Sequence, residues 1–184
     1  DAGETWTSPT DAEHGLLKTG YYHCAPTTVV HHDGRYWRGM ENQGQDGGWG
    51  PFAAFMMSVP DDADLLKASN WTFTNELQYT AGAVDAFTWL EGNAVVTREG
   101  EVLDILRLHY LPDDRAAIAH VSADGKSLSL DPQSDISYLP GACKKFTIHY
   151  DAESDRYWTL SNYVLPQYRN APNPLPGETR NTMA

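Results

Sequence analysis

The feature of this chain that most limits its fold is a repeat. Three stretches, "TTVVHHDGRYWRGMEN" from 27, "NAVVTREGEVLDILRL" from 93 and "FTIHYDAESDRYWTLSN" from 146, share one plan of strand, acidic turn and strand. Asp33-Gly34 and Glu99-Gly100 suit tight hairpins, because glycine enters the left-handed backbone region without a Cβ penalty. In the first two units a third apolar run follows and ends in serine: "AAFMMS" (53–58), then "AAIAHVS" (116–122). The repeat length is about 55 to 65 residues, the size of a four-stranded propeller blade. A β-sandwich lacks this long-period self-similarity and ranks second.

Strand signals dominate throughout. The runs 27–32, 35–41, 53–58, 93–98, 101–108, 115–122, 145–150 and 156–163 are rich in β-branched and aromatic residues and bounded by Gly, Pro, Asp or Asn. Only "DADLLKAS" (62–69) reads as helical, and briefly. An all-β fold is expected: a β-propeller of which this chain covers about three blades. The blade boundaries fall at 1–20 (the end of one blade), 21–80, 81–140 and 141–184 (the start of another). Hydrophobic residues at 41% and aromatics at 11% suit a folded chain of 184 residues. A net charge of −12 argues against nucleic acid or an anionic membrane as a general partner. No apolar run approaches a membrane span. Cys24 and Cys143 could pair or stand as two small buried thiols. Asn70-Trp71-Thr72 fits either a glycosylation acceptor or an ordinary polar turn beside a buried Trp71.

The chain opens with "DAGETWTSP", in which Asp1, Gly3 and Thr5 make a tight turn leading into Trp6. An aspartate can accept hydrogen bonds from turn amides, and Trp6 is expected to be buried where a strand begins. "SADG" at 122–125 is a degenerate relative of this turn and follows a third strand. "DAGETW" is therefore expected between the third and fourth strands of an earlier blade, making the chain a piece of a longer protein. Asp-x-Gly-x-Thr-Trp resembles the Asp-box of the sialidase (neuraminidase) superfamily. "HCAPTTVVHHDGRYWRGMEN", "EGNAVVTREGEVLDILR" and "RYWTLSNYVLP…TRNTMA" are similar to successive blades of such proteins. The resemblance implies a propeller that is six-bladed when complete, in a secreted or periplasmic exo-acting glycoside hydrolase that needs no cofactor. Its partner is a glycan or oligosaccharide.

Candidate site residues come from counting. Seven residues on from Gly34, Gly100 and Asp155 lie Glu41, Arg107 and Asn162. Equivalent positions of a propeller converge on one face around the axis, where ligands bind; the alternative is three strand ends facing solvent. Arg107 follows an apolar strand, and an arginine held by its stem suits bidentate carboxylate recognition. Glu91 begins the strand whose hairpin partner ends at Arg107, so both sit at one end of a blade, as a catalytic pair or a structural ion pair. The resemblance makes Glu91 the base that activates a tyrosine nucleophile, and Arg107 and Arg180 two of three arginines that clamp the substrate carboxylate. Without it, Arg180 reads as a surface arginine at a strand start. Trp49, in the Gly-rich loop "GQDGGWG", is a candidate sugar-stacking platform, whereas Trp37, Trp89 and Trp158 are expected in the core. The histidines show no metal-binding spacing; His31 and His32 point to opposite faces of a strand, and no metal is expected.

The function this implies is removal of a terminal acidic sugar from a glycan, with the isolated segment inactive and poorly soluble. A non-catalytic carbohydrate-binding propeller is the alternative. A purely structural propeller would leave Glu91 and the two arginines without a common partner.

Overall fold

The computed structural model describes residues 3–44, 47–80, 84, 86–109, 114–168 and 182–184. Among them there is no α-helix, only the 3-10 turns Ala68–Asn70 and Pro166–Tyr168. The fold is all-β and every sheet is antiparallel.

The first sheet contains β1 (Tyr22–His23), β2 (Val29–His32), β3 (Arg35–Asn42), β4 (Ala53–Pro60) and β5 (Thr72–Phe73). β1 and β2 share one edge of β3 as a single interrupted strand, and β4 then β5 follow on the other. The second sheet repeats this width with β6 (Thr88–Val96), β7 (Val102–His109) and β8 (Arg115–Val121). Here the outermost strand is interrupted, as β9 (Leu128–Ser129) and β10 (Ile136–Tyr138) both pair with β8. The third sheet is the hairpin β11 (Phe146–Asp151) and β12 (Arg156–Ser161), with a bridge from Asn162 to Met183. None of the three sheets closes on itself.

The hairpins turn where the sequence places them. Asp33 and Gly34 both take positive φ, 49° and 67°, which lets two residues reverse the chain with the twist of its strands. Gly100 (φ 87°) and Asp155 (φ 53°) serve the other two hairpins. "SADG" also folds as expected, between β8 and β9. Asp124 Oδ1 accepts from the Ser122 hydroxyl at 2.6 Å and from the Lys126 amide at 3.1 Å. Its hydroxyl and amide donors hold the Asp124 carboxyl below its ordinary value. The opening turn differs in one respect. Gly3 has φ 80° and its carbonyl accepts from Trp6 Nε1, yet Trp6 is 88% exposed. Residues 3–13 are all exposed, so the indole has no sheet to pack against.

β6 is buried along almost its whole length because both faces are covered, by β2, β3 and β4 on one side and β11 on the other. Trp37, Met56, Trp89, Leu106, Leu108, Val121 and Leu128 form the core around it. The approach of β3 to β6 is set by two glycines. A Cβ on Gly39 would lie 2.9 Å from the Gly92 carbonyl oxygen, and one on Gly92 would lie 2.1 Å from Asp104 Oδ1. The first strands of the three sheets are joined by one hydroxyl. Thr28 Oγ1 lies 3.0 Å from Asn93 Oδ1, 3.0 Å from Thr147 Oγ1 and 3.1 Å from the Ile148 carbonyl. A hydroxyl carries one proton, so it donates to one acceptor at a time and accepts from Thr147 in turn.

Two further expectations are corrected. Trp158 is 58% exposed on β12, because nothing among the described residues covers that face of the third sheet. Cys24 is exposed and Cys143 buried, and both are free thiols. Burial pushes the Cys143 thiol up to about 11, helped by the neighbouring Asp114 carboxyl.

Candidate functional site

Each first strand runs from one common end of the three sheets, and each second strand returns to it. Glu41 of β3 and Arg107 of β7 therefore finish beside the starts of β6 and β11. Glu41 is 1% exposed. It lies opposite His23 in the β1–β3 register, where Oε2 meets His23 Nδ1 at 3.1 Å. Its other oxygen crosses between sheets to accept from the Gly92 amide at 2.9 Å. That hydrogen bond to Glu41 raises the His23 pKa against the opposing effect of burial.

Glu91 sits in a bulge. The β6–β7 register shifts between Leu90 and Asn93, and Glu91 takes φ 57°, a left-handed conformation that L-residues resist. The distortion points its side chain toward β7 and β11. Oε2 accepts from Arg107 Nη1 at 2.9 Å, and Oε1 accepts from the Lys145 ammonium. Burial pulls the Glu91 carboxyl upward, but the Arg107 charge and the Lys145 hydrogen bond together hold it below its ordinary value. Arg107 is 2% exposed; its Nη2 meets His109 Nδ1 at 2.7 Å, and its Nε is buried with no partner among the described residues.

An aromatic wall links the two carboxylate clusters. Trp49 meets His109 edge-on at 5.6 Å, His23 at 6.3 Å and Phe52 at 5.1 Å, and His23 stacks on Phe52 at 5.8 Å. The contacts thus run in a circuit: His23, Glu41, Gly92, Glu91, Arg107, His109, Trp49 and back to His23. Trp49 is 55% exposed, so one side of its ring remains open to a ligand.

Of the residues singled out from sequence, Glu41, Glu91, Arg107 and Trp49 are brought into this circuit. Asn162 lies at its border, where its backbone amide donates to the Lys145 carbonyl at 2.8 Å. Arg180 lies outside the described residues. His23, His109 and Lys145 were missed, since they belong to different strands and only sheet packing unites them. Asp104 was missed as well. It is fully buried, neither carboxylate oxygen has a partner among the described residues, and burial together with the nearby Glu41 charge raises its pKa well above the ordinary value. Its signal was legible: one acid inside the apolar run "VLDIL".

A groove of about 660 Å³ opens at the opposite, hairpin end, lined by Thr28, His31, Arg98, Tyr150, Asp155 and Tyr157 among others. Volume and buried charge therefore sit at different ends. We take the charged end as the site, because paired buried ions and perturbed carboxyls mark chemistry better than an open groove does. Among the described residues no group of three or more His, Cys, Asp or Glu side chains is placed to hold a metal ion.

No family model and no curated protein matches this chain. Among solved structures it is similar to an α-L-arabinofuranosidase from Lactobacillus brevis, at 16% identity and a TM-score of 0.34. The match covers 54% of this chain and 34% of that one, a likeness too slight to carry an argument.

Proposed function

We propose that the three sheets are successive blades, over 21–80, 81–140 and 141–184, of a β-propeller that is six-bladed when complete. The protein is a secreted or periplasmic sialidase-like exo-glycosidase acting on a terminal acidic sugar. The blade reading is supported by two sheets of the same width and order, and by first strands that meet at Thr28. The functional reading is carried by one observation: the buried Glu91–Arg107 pair, with the half-exposed Lys145 on its open side, lies at the same end as Glu41, His23 and the open face of Trp49. A carboxylate base and an aromatic platform for a sugar ring suit glycoside chemistry that works through an activated nucleophile. Glu91, held ionised, would act as the base and Arg107 would fix its orientation; in this reading Arg180 would join them and Glu41 and Asn162 would stand on the rim. The test is hydrolysis of conjugates ending in an acidic sugar by the protein in its full-length setting. Turnover that falls in Glu91→Gln while substrate binding persists supports the reading; unchanged turnover refutes it.

A second reading is favoured by the same geometry. Both Glu91 oxygens are occupied by cations, and its lowered pKa makes it a weak proton acceptor. A carbohydrate-binding propeller without turnover would need only Trp49 and the charged rim. Binding of a glycan with no hydrolysis distinguishes it.

A further inference from the structure

The proposal that follows rests on the glycan reading and asks which side chain meets the acidic group of the sugar. Among the described residues, three basic side chains meet a carboxylate at the site end: Arg107, Lys145 and His23. The Arg107 side chain is 3% exposed, and its two terminal nitrogens are taken by Glu91 and His109. The Lys145 side chain is 53% exposed, and among the described residues only one of its three ammonium protons has an acceptor. The His23 side chain is 26% exposed, and Nδ1 is the ring nitrogen that faces Glu41.

We infer that the carboxylate of the terminal sugar is held by Lys145 and by Nε2 of His23, over the ring of Trp49, and that Arg107 is a positioning residue that fixes Glu91 without touching the ligand. The placement of the basic groups agrees. Glu91 and Glu41 face Arg107 and His23 from the buried side, and the half-exposed Lys145 ammonium stands on the open side. Lys145 and His23 are near enough that each charge acts on the other, and an anion placed between them relieves that repulsion. With Nδ1 turned to Glu41, the Nε2 side of His23 is left for a ligand, and it donates there in the protonated form that the Glu41 carboxylate favours. Arg107 cannot exchange Glu91 for a ligand without stripping that buried carboxylate of its one buried cation and leaving it only the half-exposed Lys145. A lysine is a point charge on a flexible stem, so the site selects for negative charge more than for the planar fork an exposed arginine would read.

The experiment is isothermal calorimetry of the protein with methyl glycosides of sialic acid and glucuronic acid and with the methyl ester of each, which removes the charge and keeps the sugar. The wild type should prefer acid over ester by about tenfold or more. Lys145→Gln should abolish that preference, Lys145→Arg should retain it, and His23→Gln should reduce it. Arg107→Lys should preserve the acid-to-ester ratio while turnover falls. Near-UV circular dichroism checks that each variant is folded. A folded Lys145→Gln that keeps the ratio, or a folded Arg107→Lys that loses it, overturns the assignment. Equal binding of acid and ester by the wild type refutes the acidic contact and leaves the glycan reading intact. Binding of neither sugar refutes both.

Discussion

Placing one methyl group at Gly92 tests how tightly the first two sheets are held. A Cβ there would lie 2.1 Å from Asp104 Oδ1, 2.7 Å from Cγ and 2.7 Å from Oδ2. These three atoms belong to a side chain with no exposed surface, so the carboxyl has nowhere to swing. Overpacking of this kind costs roughly 1–3 kcal/mol. We expect Gly92→Ala near the upper end, about 3 kcal/mol, because it also strains the amide that Glu41 accepts from. Asp104→Ala removes every atom of that clash and a buried, unpartnered carboxyl besides. In that background Gly92→Ala should cost less than about 1 kcal/mol, giving a coupling near 2 kcal/mol. Gly39→Ala is the internal contrast. Its Cβ would meet the backbone of Gly92 at 2.9 and 3.2 Å as well as Asp104, so Asp104→Ala should rescue it only in part. The assay is urea unfolding followed by tryptophan fluorescence for the four corners of each cycle. A Gly92–Asp104 coupling under about 0.5 kcal/mol would falsify the packing argument.

Other outcomes follow from the same contacts. Because burial raises the folded-state pKa of Asp104, the folded chain keeps a proton that the unfolded chain loses. Stability should therefore fall as pH rises from the unfolded value near 3.9 toward the folded one, and level off above it. Asp104→Asn should remove that slope and gain more stability at pH 8 than at pH 4; equal gains in thermal melts at both pH values would count against it. Glu91→Gln leaves two cations without their shared carboxylate, one of them buried, and should cost about 3 kcal/mol in chemical denaturation. A loss under about 0.5 kcal/mol would show that the cluster contributes little. Thr28→Val keeps the shape and deletes the hydroxyl shared by three strands, for an expected loss of about 1–3 kcal/mol. Wild-type stability in that variant would remove Thr28 as a junction.

The strands and their turns were legible because β-branched runs and the Asp-Gly turn act over a few residues. Counting from the turns also brings Glu41 and Arg107 to the same end of their hairpins, since a hairpin without insertions fixes which residues share a level. The count says nothing about side-chain partners. His23 meets Glu41 only because Tyr22–His23 forms a strand, and two residues are too few to show a period. The same shortness hid Leu128–Ser129 and Ile136–Tyr138. Lys145 reaches Glu91 across 54 positions, through packing that no local pattern encodes. The bulge at Glu91 broke the alternation on which facing is judged. Trp6 and Trp158 failed for a different reason: tryptophan's preference for burial needs a covering surface, and none lies over them among the described residues.

Thr28 has a consequence for the order of assembly. Hairpins inside each sheet close loops of a few residues, whereas this hydroxyl meets Asn93 across 65 positions and Ile148 across 120. Loop-closure entropy delays such distant meetings until both sides are already ordered. A junction that forms after the rate-limiting step contributes to the barrier to unfolding, so Thr28→Val is expected to speed unfolding and leave the folding rate unchanged. Such a junction behaves as a latch: it does little to hasten the native state and lengthens its lifetime once reached.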